Sequence, residues 1–186
     1  MRIKPFIVIL VLASAGLLLS CSEVNRETTP IEMIATVSQD ITRVDLVDDA
    51  CGVLGTVSLR AIVKNPATED ATFLDVRLEQ MRVSYLRTDG GSLVPASFQQ
   101  TISGLITANA GSQDLNDFVV FQSDAFNQAP FAALFPNNGG LDPETGKPEV
   151  RMDVVLEIFG ETLAGENVSA SVRFPLAFCY DCGGCV

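Results

Sequence analysis

Alternation of apolar and polar side chains governs the chain from residue 31 onward, and it limits the fold more than any other feature. Val57, Leu59, Ala61 and Val63 alternate with Ser58, Arg60, Ile62 and Lys64. A period of two is strand geometry, because successive side chains point to opposite faces of a sheet. Asn65-Pro66 punctuates this run, since proline donates nothing to a central ladder. Leu74, Val76 and Leu78 alternate with Asp75, Arg77 and Glu79, and Met81, Val83 and Tyr85 continue with the opposite parity. The change of parity predicts a bulge near Glu79-Gln80. Asp89-Gly90-Gly91 supplies positive-φ residues for a tight hairpin turn, with a strand around Phe98 to Ile102 beyond it. Residues 103–117 read as loop, and Phe118 to Gln122 as a short buried strand. The clearest strands come last. Val150, Met152, Val154, Leu156 and Ile158 share one face, and so do Val168, Ala170, Val172, Phe174, Leu176 and Phe178. Gly160 to Glu166 connects the two as a hairpin. With Ile31 to Val37, the set comes to seven or eight strands.

Strands with one wet face predict antiparallel sheets, and two such sheets bury their apolar faces against each other. The expected fold is all-β, an antiparallel β-sandwich with one short helix over Ser123 to Pro136. Pro130 fits the first turn of that helix and Pro136 ends it. A closed barrel is the alternative. The stretch GTVSLRAIVKNP followed by DVRLEQMRVSYLRTDGG resembles strand pairs of immunoglobulin-like accessory domains. That resemblance implies an immunoglobulin-like sandwich and carries no function with it.

The first 21 residues read as an export signal. Arg2 and Lys4 form a positive start, and Pro5 to Leu19 is apolar and uncharged. That run is short for a membrane span, which needs about 20 apolar residues, and suits a signal-peptide core. It ends in Leu18-Leu19-Ser20-Cys21, which resembles the lipobox of bacterial lipoproteins. The resemblance implies cleavage before Cys21 and lipidation of its thiol, palmitate included. Ser22 after the cysteine implies sorting to the outer membrane. Several acyl chains, at about 0.8 kcal/mol per buried CH₂, would hold the protein stably. The domains expected are thus a signal peptide over 1–20, a lipidated cysteine and polar tether over 21–30, and one β-sandwich domain over 31–186.

Composition excludes whole classes of chemistry. The chain has no His, so it has neither a Ser-His or Cys-His catalytic pair nor an imidazole metal ligand. Its 12 basic and 23 acidic groups give a net charge of -11. Loss of Arg2 and Lys4 with the signal takes the mature chain to -13. Such a surface repels nucleic acid, whose phosphates need clustered Lys and Arg, and it stands off anionic lipid.

Lipidation of Cys21 would leave four cysteines: Cys51, Cys179, Cys182 and Cys185. An even number in an exported chain reads first as disulfides. Each of the three possible pairings ties Cys51 to the tail, which closes a large loop, and leaves the other two cysteines to bridge locally; the sequence does not choose among them. Two other readings stay open. The C-x-x-C pairs can exchange disulfides, although nearby Asp181 raises rather than lowers a thiol pKa. Four thiolates can also hold zinc, although here they form one triplet and a lone Cys51 instead of two knuckles. Asp40, Asp45, Asp48 and Asp49 do not match a calcium loop and read as a solvated acidic turn. Asp142 and Glu144 read as turn residues. Phe126, Phe131, Leu134 and Phe135 form an apolar cluster outside the strands, either a lid on the sandwich or a partner-docking surface. The overall expectation is a non-enzymatic envelope lipoprotein. It would be anchored to the membrane, bind another envelope protein, and have no catalytic residue, metal, cofactor or nucleic-acid partner. The alternative is a thiol-redox or metal-binding factor that uses the C-terminal cysteines.

Overall fold

The alternating runs form eight strands in the computed structural model, which describes residues 29–38, 42–47, 56–65, 67, 72–116 and 118–184. The expected signal peptide, Cys21, most of the tether, Cys51 and Cys185 lie outside the described residues. The strands are β1 (Ile31–Ser38), β2 (Arg43–Asp45), β3 (Thr56–Val63), β4 (Val76–Arg87), β5 (Phe98–Ile106), β6 (Gln113–Asn116), β7 (Glu149–Thr162) and β8 (Asn167–Cys179). They build two sheets, one in the order β1-β3-β6 and the other in the order β2-β8-β7-β4-β5. All pairings are antiparallel except that of β2 with β8. The five-stranded sheet curls into a half-barrel. Among the described residues no helix is long and apolar enough to cross a membrane.

The longest ladder joins β7 to β8 and runs unbroken from Glu149 opposite Cys179 to Glu161 opposite Asn167. Nearly every second residue of both strands is buried, so a slip of one residue would turn the apolar set out to water. Gly165, at φ 90, closes the hairpin, where a side chain would be strained. Gly160 has a different reason. A Cβ there would stand 2.6 Å from the backbone oxygen of Arg77 on β4. The parity change in β4 is a register shift between Leu78 and Gln80. A single core runs through both sheets, with Val57, Leu59, Met81, Val83, Leu156, Ile158 and Phe178 at its centre.

Several expectations need correction. The single helix expected over Ser123 to Pro136 is instead a series of 3-10 turns, Ser123–Asn127, Phe131–Leu134 and Pro136–Asn138. Pro130 falls in the middle of the segment, where its ring and missing N–H stop α-helix from propagating. Residues 103–117 are not one loop, because β5 runs on to Ile106 and β6 occupies Gln113–Asn116. Phe118 to Gln122 pairs only through an isolated bridge at Val119, although Phe118, Val120 and Phe121 are buried. Asp89-Gly90-Gly91 does not close a tight hairpin, since β5 starts only at Phe98.

The domain has two distinct ends. Thr29 and Ile31 lie beside the start of β8, where with Lys64, Phe159 and residues 167–171 they line a cleft of about 540 Å³. From there β8 runs thirteen residues, or about 40 Å. Its far end meets β2, the start of β7 and, across β7, the end of β4.

Candidate functional site

The far end of the five-stranded sheet gathers the side chains with the most unusual environments, and it does so in three clusters. The first is the C-terminal cysteine loop. Cys179 and Cys182 stand at disulfide distance, with Cα atoms 6.0 Å apart. Asp45 faces Cys179 in the parallel β2–β8 pairing and is only 4% exposed. Its Oδ1 accepts the N–H groups of Val47 at 3.1 Å and Asp181 at 2.9 Å, and its Oδ2 those of Cys182 at 2.9 Å and Gly184 at 3.0 Å. Asp181, Gly183 and Gly184 all have positive φ. Such a turn points successive N–H groups inward and makes a cradle for an anion, which the Asp45 carboxylate fills. Burial opposes its charge, but the N–H groups of Gly184, Val47, Cys182 and Asp181 outweigh burial and hold the carboxyl below its usual range. Asp45 is therefore a buried anchor and not part of a solvated acidic turn. Asp40, Asp48 and Asp49 lie outside the described residues.

This geometry bears on the chemistry of the cysteines. A reactive thiolate needs N–H donors or positive charge beside it. The Cys182 N–H is given to a carboxylate whose own charge disfavours a neighbouring thiolate. A bonded Cys179–Cys182 pair also withholds two of four thiolates from a zinc site. Among the described residues no group of three His, Cys, Asp or Glu is arranged to hold a metal.

The second cluster is a buried ion network. Arg87, at the end of β4, is 2% exposed, as is Asp89, and Asp142 is fully buried. The guanidinium donates from Nε to Asp89 at 2.7 Å, and from one terminal nitrogen to Asp89 at 2.9 Å and Asp142 at 2.8 Å. Its other terminal nitrogen donates to the Leu93 carbonyl at 3.1 Å. Burial opposes the carboxylate of Asp89, yet Arg87 and the N–H groups of Arg151 and Gly91 hold it at about 2. Burial opposes Asp142 too, but Arg87 and Thr145 hold its carboxyl below the usual range. Glu144 accepts the N–H groups of Leu93 and Ser92, both at 2.7 Å. Asp142 and Glu144, expected as ordinary turn residues, thus pin two loops together, residues 88–97 and 139–148. Leu93, Val94 and Leu141 stand out from those loops, 42%, 38% and 49% exposed, with Leu86 close by in sequence at the end of β4.

The third cluster is aromatic. Phe131 is fully buried against Phe178, with centroids 4.5 Å apart, and Leu134 is buried beside it. Phe126 and Phe135 are half-buried, Phe126 near Phe131 and Phe121, and Phe135 edge-on to Tyr180 at 5.1 Å. Tyr180 lies within the cysteine loop, so the 3-10 turns and that loop support each other. Tyr85 completes the packing by donating to the Val120 carbonyl at 2.7 Å, and burial pushes its phenol pKa up.

No protein-family model, no curated protein and no solved structure matches the chain.

Proposed function

We propose that this chain is a lipid-anchored protein of a bacterial envelope, held in the outer membrane through Cys21, with an immunoglobulin-like domain that binds another envelope component without catalysis. The strand order supports the finer fold reading. In that reading β1, β3 and β6 would take the places of strands A, B and E, and β8, β7, β4 and β5 those of G, F, C and C′. The lipobox at Leu18 to Cys21 supports the anchor.

One observation carries the binding reading. Leu93, Val94 and Leu141 are exposed on loops that the buried Arg87–Asp89–Asp142 network and the solvent-facing Glu144 carboxylate pin together, at the end of the sheet opposite Thr29. A rigid support lowers the entropy cost of docking, and clustered exposed apolar residues mark interaction surfaces. An anchored chain would hold this end farthest from the lipid.

Metabolic labelling with an alkynyl palmitate tests the anchor. Label is expected on the wild type and absent from Cys21→Ala, and label retained on the variant refutes the lipobox assignment. Pulldown from solubilised envelope tests the surface. A component recovered with wild type and lost with Leu93→Asp/Leu141→Asp, at unchanged melting temperature, supports the reading. Equal recovery with both proteins defeats it.

A further inference from the structure

Among the described residues the two sheets end in four edge strands, and three of these edges are blunted as edges of natural proteins usually are. β2 is only three residues long and covers β8 only from Ala177 to Cys179, but the uncovered part of β8 carries Arg173 and Pro175; β6 is four residues long and carries Asp114, and β1 carries Glu32. The fourth edge differs. β5 is nine residues long, FQQTISGLI, with no charge and no proline, in a chain of net charge -11.

Backbone phase shows what this edge presents. The Thr88 N–H donates to the Arg151 carbonyl, so the bonds of β4 to β7 fall at Arg82, Ser84 and Leu86. Bonds to β5 then fall at Met81 and Val83, opposite Gln100 and Phe98. Gln99 and Thr101 therefore turn their N–H and C=O groups to the open side. On the inner face Phe98 and Ile102 remain only half-buried against the core, because β5 is the last strand of its sheet. Leu105 on the outer face is 50% exposed.

We infer that β5 is a self-association edge, on which two copies of this chain pair antiparallel along Phe98–Ile106. A two-fold axis beside Ile102 sets Thr101 opposite the partner's Ser103 and Ile102 opposite the partner's Ile102. Three properties point to a second copy. Two chains of the same strong negative charge repel, so they meet most easily along an edge that carries none. Hydroxyl side chains both donate and accept, so Thr101 and Ser103 can bond to each other across a two-fold. Antiparallel pairing about a two-fold is closed, so it ends at a dimer and does not grow into a fibre. Pairing extends the half-barrel sheet and covers Phe98 and Ile102. This inference does not depend on the anchor or on the far-end loops.

The test is photo-crosslinking in cells that express the full chain with a benzophenone amino acid at Leu105. The expected product has twice the monomer mass, and its crosslinked peptide joins residue 105 to the β5 strand of a second copy. Thr101→Lys/Ser103→Lys places like charges directly opposite each other and should cut this product at least tenfold. Thr101→Glu/Ser103→Glu should do the same. Co-expression of the two variants under different tags should restore it, which also shows that both remain folded. A product joined to a different protein or a different strand overturns the inference. So does the absence of a double-mass product from the otherwise wild-type chain, or a failure of the mixed pair to recover it.

Discussion

Replacing Arg87 by Met would leave two buried carboxylates without their cation, and the consequences can be worked out in sign and size. The guanidinium makes four hydrogen bonds, to Asp89, Asp142 and the Leu93 carbonyl. It is 2% exposed, so water does not take its place when it is removed. Holding the Asp89 pKa at about 2 instead of 3.8 is linked to about 2 kcal/mol of stability at neutral pH. Removing one partner of a buried pair typically costs about 3–5 kcal/mol, because the remaining charge loses its compensation, and Arg87→Met should fall in that range. The pH dependence is the sharper signature. In the wild type the folded pKa of Asp89 is depressed, so its contribution is fully present above pH 3.8 and disappears as pH falls towards 2. In the variant the same burial acts without the cation and raises the folded pKa of the carboxyls, so stability should rise as pH falls from 7 towards 5. Urea unfolding at pH 7, 6 and 5 measures both effects. A variant within 1 kcal/mol of wild type at pH 7, or one with no rise in stability towards pH 5, would refute the account of the network.

Three further outcomes follow from the far end of the sheet. Asp45→Asn keeps the shape but turns an amide NH₂ towards two of the four N–H groups, each worth about 1–3 kcal/mol when left without an acceptor. Faster hydrogen exchange at Cys182 and Gly184 or at Val47 and Asp181 is expected, and wild-type rates at all four would count against the cradle. Phe131→Ala should destabilise the domain by about 3–5 kcal/mol, as for a fully buried ring, and a melting temperature within a degree of wild type would show that the 3-10 turns do not support the core. With Cys179 and Cys182 paired, non-reducing peptide mapping should find Cys51 linked to Cys185. That bridge closes most of the domain and contributes about 4–5 kcal/mol in the chain-entropy model, and free thiols at both positions would refute it.

The strands were legible because a half-buried sheet writes its burial directly into the sequence with a period of two. β7 and β8 show this most clearly, since each side chain's environment is set by its parity and by one partner in a continuous register. The segment 123–138 departs from the helix its sequence predicts for an equally physical reason. Its apolar residues recur at helix-like spacing, but Pro130 and Pro136 divide it into turns too short to propagate, and Phe131 is fixed by Phe178 more than forty residues away. β2 leaves no trace in the periodicity because three residues are too few to show a period. Its pairing partner is the last strand, and three of the four N–H groups that satisfy its acid lie more than 130 residues later.

The same reasoning explains why the candidate site was the least legible part. Each of its charged residues has an ordinary local explanation. Asp89 precedes two glycines, Asp142 precedes a proline, and Asp45 sits in an acidic run. What makes them unusual is burial opposite a partner distant in sequence, such as Arg87 and Asp142, 55 residues apart. Proximity of that kind depends on sheet order, and sheet order cannot be deduced from periodicity alone. One sequence-level signal was available for Arg87. It is a lone cation at the end of a strand, two residues before an acid, in a chain with about twice as many acidic as basic groups. In such a chain a cation beside a turn has more acids to draw in than it can pair with singly. That imbalance favours a shared arrangement, in which one guanidinium neutralises carboxylates from two loops and fixes both.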